Sequence, residues 1–517
     1  MIVQTDKGAL EGVVDDGINV FKGIPYAAPP VGALRWRDPQ PAAAWEGTRK
    51  ADAFGKACIQ PTYPSMEGAG DVGPQSEDCL FLNVWTAGVD PGALKPVMVW
   101  IHGGAFKMGI GSDPMYGGVP LAKKGAVVVG LNYRLGLLGF FAHAALEQEA
   151  PGGAVNFGLL DQIAALKWVR DNIAAFGGNP GNVTIFGQSA GAQSVLALLA
   201  SPLARGLFHK GIAQSPYALP DHSRPKAVAL GAAVATGLFR LDGERATAEE
   251  LRGVPAEKFT EKTMPGPEGT EVLVPSLGPV TVWGDPVLPK KLRATFEAGE
   301  QAPVRLIIGS NSDEPSVLAA FQIDPAVVMQ MIIAAGGTEA EEALEDLKDL
   351  YRSDPEVKPG ELDNPSRFAS LVMRDMLFTM QARWFADRQS KLADSRRYYF
   401  SYVPELDRPD QPHGVPHGGE IVFPFATGGT LGRTKEVKFT DADREMSRKV
   451  SDYWFSFAQT GTPAGTPAWP KHVHRVVLPT DKTLKLGETI EVANLFRKTR
   501  LDVFISLYPT LEAALGG

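Results

Sequence analysis

The chain has 517 residues, with 51 basic against 59 acidic side chains for a formal net charge of −8, and it is 44% hydrophobic, 21% charged and 9% aromatic. That balance excludes disordered and fibrous classes, and a chain this long buries roughly three quarters of its unfolded surface without needing a metal or disulfide to fold. The acidic balance and the lack of any basic block exclude binding to a phosphate backbone, so no nucleic-acid partner is expected.

Length alone suggests roughly three domains, a rule that large α/β units often break. No stretch reads as a linker, and no repeat or low-complexity tract appears, so residues 1–517 are expected to form one catalytic unit. The start, MIVQTDKGALEG, has no charged segment followed by an apolar one, so no signal peptide is expected. On that reading the protein is cytoplasmic, or the chain begins at a mature end. No apolar run reaches the ~18 residues of a membrane span. Oligomeric state is left open.

Up to about Trp45 the chain is short-segmented, alternating and punctuated by Gly and Pro, which predicts a meander of short strands. Cys58 and Cys79 follow, too few for the usual four-ligand zinc site. They either close a loop of about twenty residues or remain two buried thiols. Pro96–Ile101 and Ala126–Asn132 read as continuous apolar strands, Leu159–Phe176 as a helix, and Val183–Phe186 as a short β-branched strand. A helix is expected from Ser189 to Leu199, and an interior strand at Leu306–Ile308. Such alternation predicts an α/β protein with a mostly parallel central sheet flanked by helices. The more charged stretches 220–300 and 320–400 are expected to be helical insertions that shape a pocket over the sheet.

Gly187-Gln188-Ser189-Ala190-Gly191 sits between the predicted strand and helix. A sharp strand-to-helix turn lifts a serine above the sheet edge and needs small residues two positions either side. The helix behind it points free backbone N–H groups at the reacting centre. Upstream, His102-Gly103-Gly104-Ala105-Phe106 follows another strand. Small residues there let amides turn into a cavity, so the expected oxyanion donors are the amides of Gly104, Ala105 and Ala190, with Gly103 supplying the bend. His102 stands before the turn and is read as structural. A serine hydroxyl is a poor nucleophile without a base, so a histidine and an acid must also be present.

These motifs lie among others. Phe21-Lys-Gly-Ile-Pro-Tyr-Ala-Ala-Pro-Pro-Val-Gly32, Leu34-Arg-Trp-Arg37, Ser76-Glu-Asp-Cys-Leu-Phe-Leu-Asn83, Asn132-Tyr-Arg134, Asn156-Phe-Gly-Leu-Leu-Asp161 and Phe457-Ala-Gln-Thr-Gly-Thr-Pro463 occur in order along the chain. Together they resemble the type B carboxylesterase family of α/β-hydrolases, the group of cholinesterases and bacterial p-nitrobenzyl-type esterases. The resemblance covers essentially the whole chain. It implies the α/β-hydrolase fold, an Arg35–Glu77 and an Arg134–Asp161 pair, and a disulfide between Cys58 and Cys79. A reducing compartment would oppose that disulfide.

The α/β-hydrolase triad runs Ser, acid, His. Gly309-Ser-Asn-Ser-Asp-Glu314 resembles the family's acid loop and makes Glu314 the matching acid, with Asp313 its local rival. Of the later histidines, 413, 417, 472 and 474, His417 matches the family's base loop in Gly414-Val-Pro-His-Gly-Gly-Glu420. Ser215 matches a serine that hydrogen-bonds near the acid. The sequence departs from the family pattern at Gln188, where Glu is more usual, and at Ala105, Pro216 and Pro315, where Gly is common. No aromatic residue lies between Tyr63 and Phe81, where cholinesterase-like members hold a quaternary ammonium on a Trp, which argues against a choline ester.

The expected activity is hydrolysis of a small-molecule carboxylic ester by a serine hydrolase, through an acyl-enzyme and without cofactor. A serine amidase or peptidase of the same fold and a non-catalytic binding module are the rivals. Because no HExxH motif, cysteine cluster or histidine pair at ligand spacing occurs, no metal is expected. EDTA should therefore leave turnover unchanged; loss of activity restored by one particular metal would overturn this.

Overall fold

The computed structural model describes residues 1–62, 71–219, 221–265, 270–273, 281–320, 323–428, 438–473 and 481–514. His474 and parts of both expected insertions lie outside them. Thirteen strands form one sheet: β1 (Ile2–Gln4), β2 (Ala9–Asp15), β3 (Ile18–Pro25), β4 (Thr48–Ala51), β5 (Phe81–Thr86), β6 (Lys95–Ile101), β7 (Val127–Leu131), β8 (Gly178–Gln188), β9 (Lys210–Gln214), β10 (Arg305–Asn311), β11 (Ser395–Phe400), β12 (Lys482–Leu486) and β13 (Ile490–Asn494). Their spatial order is β1-β2-β3-β5-β7-β6-β8-β9-β10-β11-β12-β13, with β4 beside β2. From β7 to β12 every pairing is parallel, while the first strands pair antiparallel as the expected meander. The β2–β3 hairpin turns on Asp16 and Gly17, both at positive φ (46° and 79°), as a two-residue turn compatible with strand twist demands.

Side chains on a strand alternate between faces, and the core divides accordingly. Val97, Val99 and Ile101 of β6 join a cluster that includes Leu166 of α1 (Phe157–Asn172), Leu196 of α2 (Ala190–Ala200) and Phe385 of α3 (Met380–Gln389). Met98 and Trp100, from the same strand, join Val450, Trp454 and Phe457 of α4 (Asp441–Thr460) on the opposite face. Both faces are covered, which is why these strands read as unbroken apolar runs rather than as alternation. The helix expected at 159–176 is α1 followed by a tighter turn at Ile173–Phe176.

The reading of 320–400 as insertion is corrected at its C-terminal end. There α3 packs against the sheet, and β11 pairs in parallel with β10 over six register positions. Its Arg396, Arg397, Tyr398 and Tyr399 are polar or amphipathic, so the segment lacks the apolar signature of an interior strand, yet all four are buried. No described helix is long and apolar enough to cross a membrane.

Two implied charge pairs are present. Arg35 makes a bidentate contact with Glu77 (2.7 and 2.5 Å) and donates to the carbonyls of Val254 and Arg252. Arg134 makes one with Asp161 (2.8 and 2.7 Å), and its backbone N–H donates to the same carboxylate. The Arg134 and Asp161 side chains are 4% and 0% exposed. Removing one partner of such a buried pair strands a charge out of water. Asp161→Ala should therefore lower unfolding free energy by about 3–5 kcal/mol, read from the denaturant midpoint; a loss under about 1 kcal/mol would show the pair to be dispensable.

Candidate active site

β8 ends at Gln188, and Ser189 turns the chain into α2 with φ 57° and ψ −120°. A side-chain-bearing residue sits there only when its surroundings impose it. They do: the Ser189 N–H donates to the Gln214 carbonyl of β9 at 2.8 Å. On the helix side, a methyl added to Gly191 would lie 2.0 Å from the Ile101 carbonyl oxygen. Strand and helix thus pack at a distance only glycine permits, and Ser189 is held at the C-terminal edge of the sheet. Ala190, first in α2, has no capping side chain for its N–H.

β6 ends one residue before His102, beside the elbow. A methyl on Gly103 would fall 2.7 Å from the Gln188 carbonyl oxygen and 3.3 Å from Ser189 Cβ, so this turn lies directly against the nucleophile candidate. Gly104, Ala105 and Phe106 follow at φ 99°, 55° and 57°. The amides of Lys107 and Met108 close on the Gly104 carbonyl at 2.9 and 3.0 Å, whereas those of Gly104 and Ala105 donate to no acceptor among the described residues. The N–H groups of residues 104, 105 and 190 thus have no acceptor among the described residues. His102 is buried, stacks on Tyr133 and places Nδ1 2.8 Å from the Gly103 oxygen. Burial pushes its pKa down to about 4, so it stays neutral, in keeping with a structural role.

The acid and base loops are stitched together by backbone and side-chain bonds. Asp313 N–H donates to the Val415 carbonyl (2.9 Å), Val415 N–H to Ser312 Oγ (2.8 Å), and His417 N–H to Ser316 Oγ (2.8 Å). His417 Nδ1 then lies 2.5 Å from Glu314 Oε2, with Glu314 wholly buried. Glu314 Oε1 accepts the Asn311 N–H at 2.6 Å. The rival Asp313 turns instead to Arg367 (3.4 Å), and His413 is half exposed beside Glu361. His472 is buried far along the chain, near Asp387 and Asp481.

Three further features surround this contact. The Ser215 hydroxyl, expected to hydrogen-bond near the acid, is buried and has no hydrogen-bond partner among the described residues. Asn311 Nδ2 also bridges to the Pro416 carbonyl and to Glu420 Oε2, and Gln214 Nε2 donates to Glu420 Oε1. Burial, and then the neighbouring Glu314, raise the Glu420 pKa, so a second carboxyl adjoins the first without a matching cation. Phe378, from a wide helical turn at Arg374–Thr379, packs its ring 5.3 Å from that of His417. The motif spacing marked Asn311 and Glu420, but nothing marked Phe378. Cys58 and Cys79 are joined as a disulfide.

A hydroxyl on a strained elbow, an imidazole backed by a buried carboxylate, and unpaired amides around the same point suit attack on a carbonyl carbon. Sequence comparison bears on the same question. Residues 1–504 match the carboxylesterase family, and the chain belongs to it. It is 37% identical to the para-nitrobenzyl esterase of Bacillus subtilis (strain 168), over 95% of this chain and 96% of that one. It is 35% identical to the fumonisin B1 esterase of Sphingopyxis macrogoltabida, over 92% and 85%. Among solved structures, a carboxylesterase of Geobacillus stearothermophilus superposes with a TM-score of 0.79 at 32% identity, over 97% of this chain and 99% of that one. The fold is that of the α/β-hydrolases, and the protein is a carboxylic-ester hydrolase.

The Glu314 contact has a sign that can be tested. A carboxylate beside the ring favours imidazolium, and only neutral imidazole can accept a proton. Glu314→Gln should move the acidic limb of kcat/KM to lower pH and depress the plateau by up to about 10⁴-fold. An unmoved limb would separate Glu314 from the ionisation that controls turnover.

Proposed function

We propose that this esterase works through an acyl-enzyme on Ser189, with His417 as base and Glu314 as the acid that orients it. His417 Nε2 takes the Ser189 proton as Oγ bonds to the ester carbonyl carbon. The carbonyl oxygen becomes an oxyanion received by the amides of Gly104, Ala105 and Ala190. When the carbon–oxygen bond to the alcohol breaks, Nε2–H returns the proton to the leaving alkoxide. Water then repeats the sequence on the acyl-enzyme and releases the acid. Glu314 keeps the proton on Nδ1 and stabilises the imidazolium that forms in each half. No step calls on a metal or cofactor.

The observation that carries this reading is the 2.5 Å contact of His417 Nδ1 with a fully buried glutamate. It leaves the other ring nitrogen facing the elbow residues, since Nε2 lies 3.1 Å from the Gln188 side chain, next to Ser189. A small-molecule ester is the substrate class that fits the relatives' names. We read residues 1–517 as one catalytic unit, because the sheet takes its first strand from residues 2–4 and its last from 490–494.

Ser189→Ala should leave the fold intact and reduce turnover by roughly 10⁶-fold, and an organophosphate should label Ser189 in the native enzyme. Activity within about tenfold of native in folded Ser189→Ala protein would remove Ser189 from this role. His417→Ala should abolish hydrolysis, while His413→Ala, His472→Ala and His474→Ala should stay within about tenfold.

A further inference from the structure

His417 has two ring nitrogens and, when neutral, one proton. Nδ1 lies 2.5 Å from the Glu314 carboxylate, and a bare lone pair facing an anion at that distance would be repelled. The proton therefore sits on Nδ1, and Nε2 presents its lone pair. Nε2 is 3.1 Å from the side-chain nitrogen of Gln188, so the Gln188 amide donates to that lone pair. Ser189 Oγ, by contrast, makes no hydrogen bond to it. The site that must take the serine proton is occupied by the side chain one residue away.

We infer that Gln188 is a positioning residue that holds His417 as the neutral Nδ1–H tautomer and releases Nε2 when substrate brings Ser189 into line. A donor on Nε2 pairs with the lone pair that only the neutral ring carries there. Glutamate at this position would be an acceptor when ionised, and would favour only the charged ring. Gln188 is buried at the end of β8, with its backbone in register with Gln214, so the amide swings from a fixed base. The titratable groups set against His417 include Glu314, from the loop after β10, and Glu420, from its own loop, while the turn that packs Phe378 on the ring also carries the mutually paired Arg374 and Asp375. The inference rests on His417 being the base.

The test is the pH profile of kcat/KM for the native enzyme and for Gln188→Glu, with Glu314 and Glu420 unchanged in both. The acidic limb should move to higher pH by roughly one unit, the scale for an added anion within hydrogen-bond reach. A limb that stays in place overturns the inference. Should the variant fail to fold, ¹⁵N-histidine spectra of the native enzyme decide: above the ionisation, His417 should show a protonated Nδ1 and a hydrogen-bonded, unprotonated Nε2. An Nε2–H tautomer, or an Nε2 lone pair free of any donor, overturns it. The two readings fail differently. If His417 is not the base, His417→Ala retains activity; if only the latch is wrong, His417→Ala is dead and the Gln188→Glu limb is unmoved.

Discussion

The constraint on which the site depends is the close packing of the elbow against strand β6. There is no room for a methyl group where Gly191 meets the Ile101 carbonyl, and none where Gly103 meets Gln188. The strand carrying the glycine turn and the helix carrying the nucleophile candidate are packed at backbone distance, with no space for a side chain between them. Ser189 is held at positive φ as a result, with its amide tied to β9. Strain of this kind costs on the order of 1–3 kcal/mol and survives only inside a larger set of packed contacts. The two-faced core supplies that set.

Charge is placed under the site in two different ways. Arg134–Asp161 and Arg35–Glu77 are closed, bidentate pairs whose remaining donors reach backbone carbonyls, so each leaves little unsatisfied. Such pairs contribute more to fixing loop positions than to net stability, because desolvation offsets most of their attraction. The carboxyls at Glu314 and Glu420 are the opposite case. Both are buried, they are linked through Asn311, and neither meets an arginine or lysine in direct contact. His417 lies against the first of them through Nδ1.

The base loop reaches this place through long-range tethers. His417 is bonded at its backbone to Ser316, at Nδ1 to Glu314 and at Nε2 to Gln188, and these partners come from two separate strand ends. A surface loop with several glycines would otherwise sample many conformations. Here the ring is located by three hydrogen bonds and one aromatic neighbour, so its position is a property of the assembled sheet.

The sequence alone determined the sheet's central strands, the elbow, the glycine turn and the order of serine, acid and histidine. These depend on short-range rules: apolar runs, turn residues and motif spacing act over a few neighbours and are visible in one dimension. The tertiary structure decided the rest. It turned the Glu314 carboxylate to His417 and that of Asp313 to Arg367, left the Ser215 hydroxyl without a partner among the described residues, and drew Phe378 and the polar strand Ser395–Phe400 into the core. Each of these joins residues far apart in the chain, or at adjacent positions that point in opposite directions. Local periodicity carries no information about which distant group a side chain will meet; that is fixed only when burial forces every polar atom to find a partner.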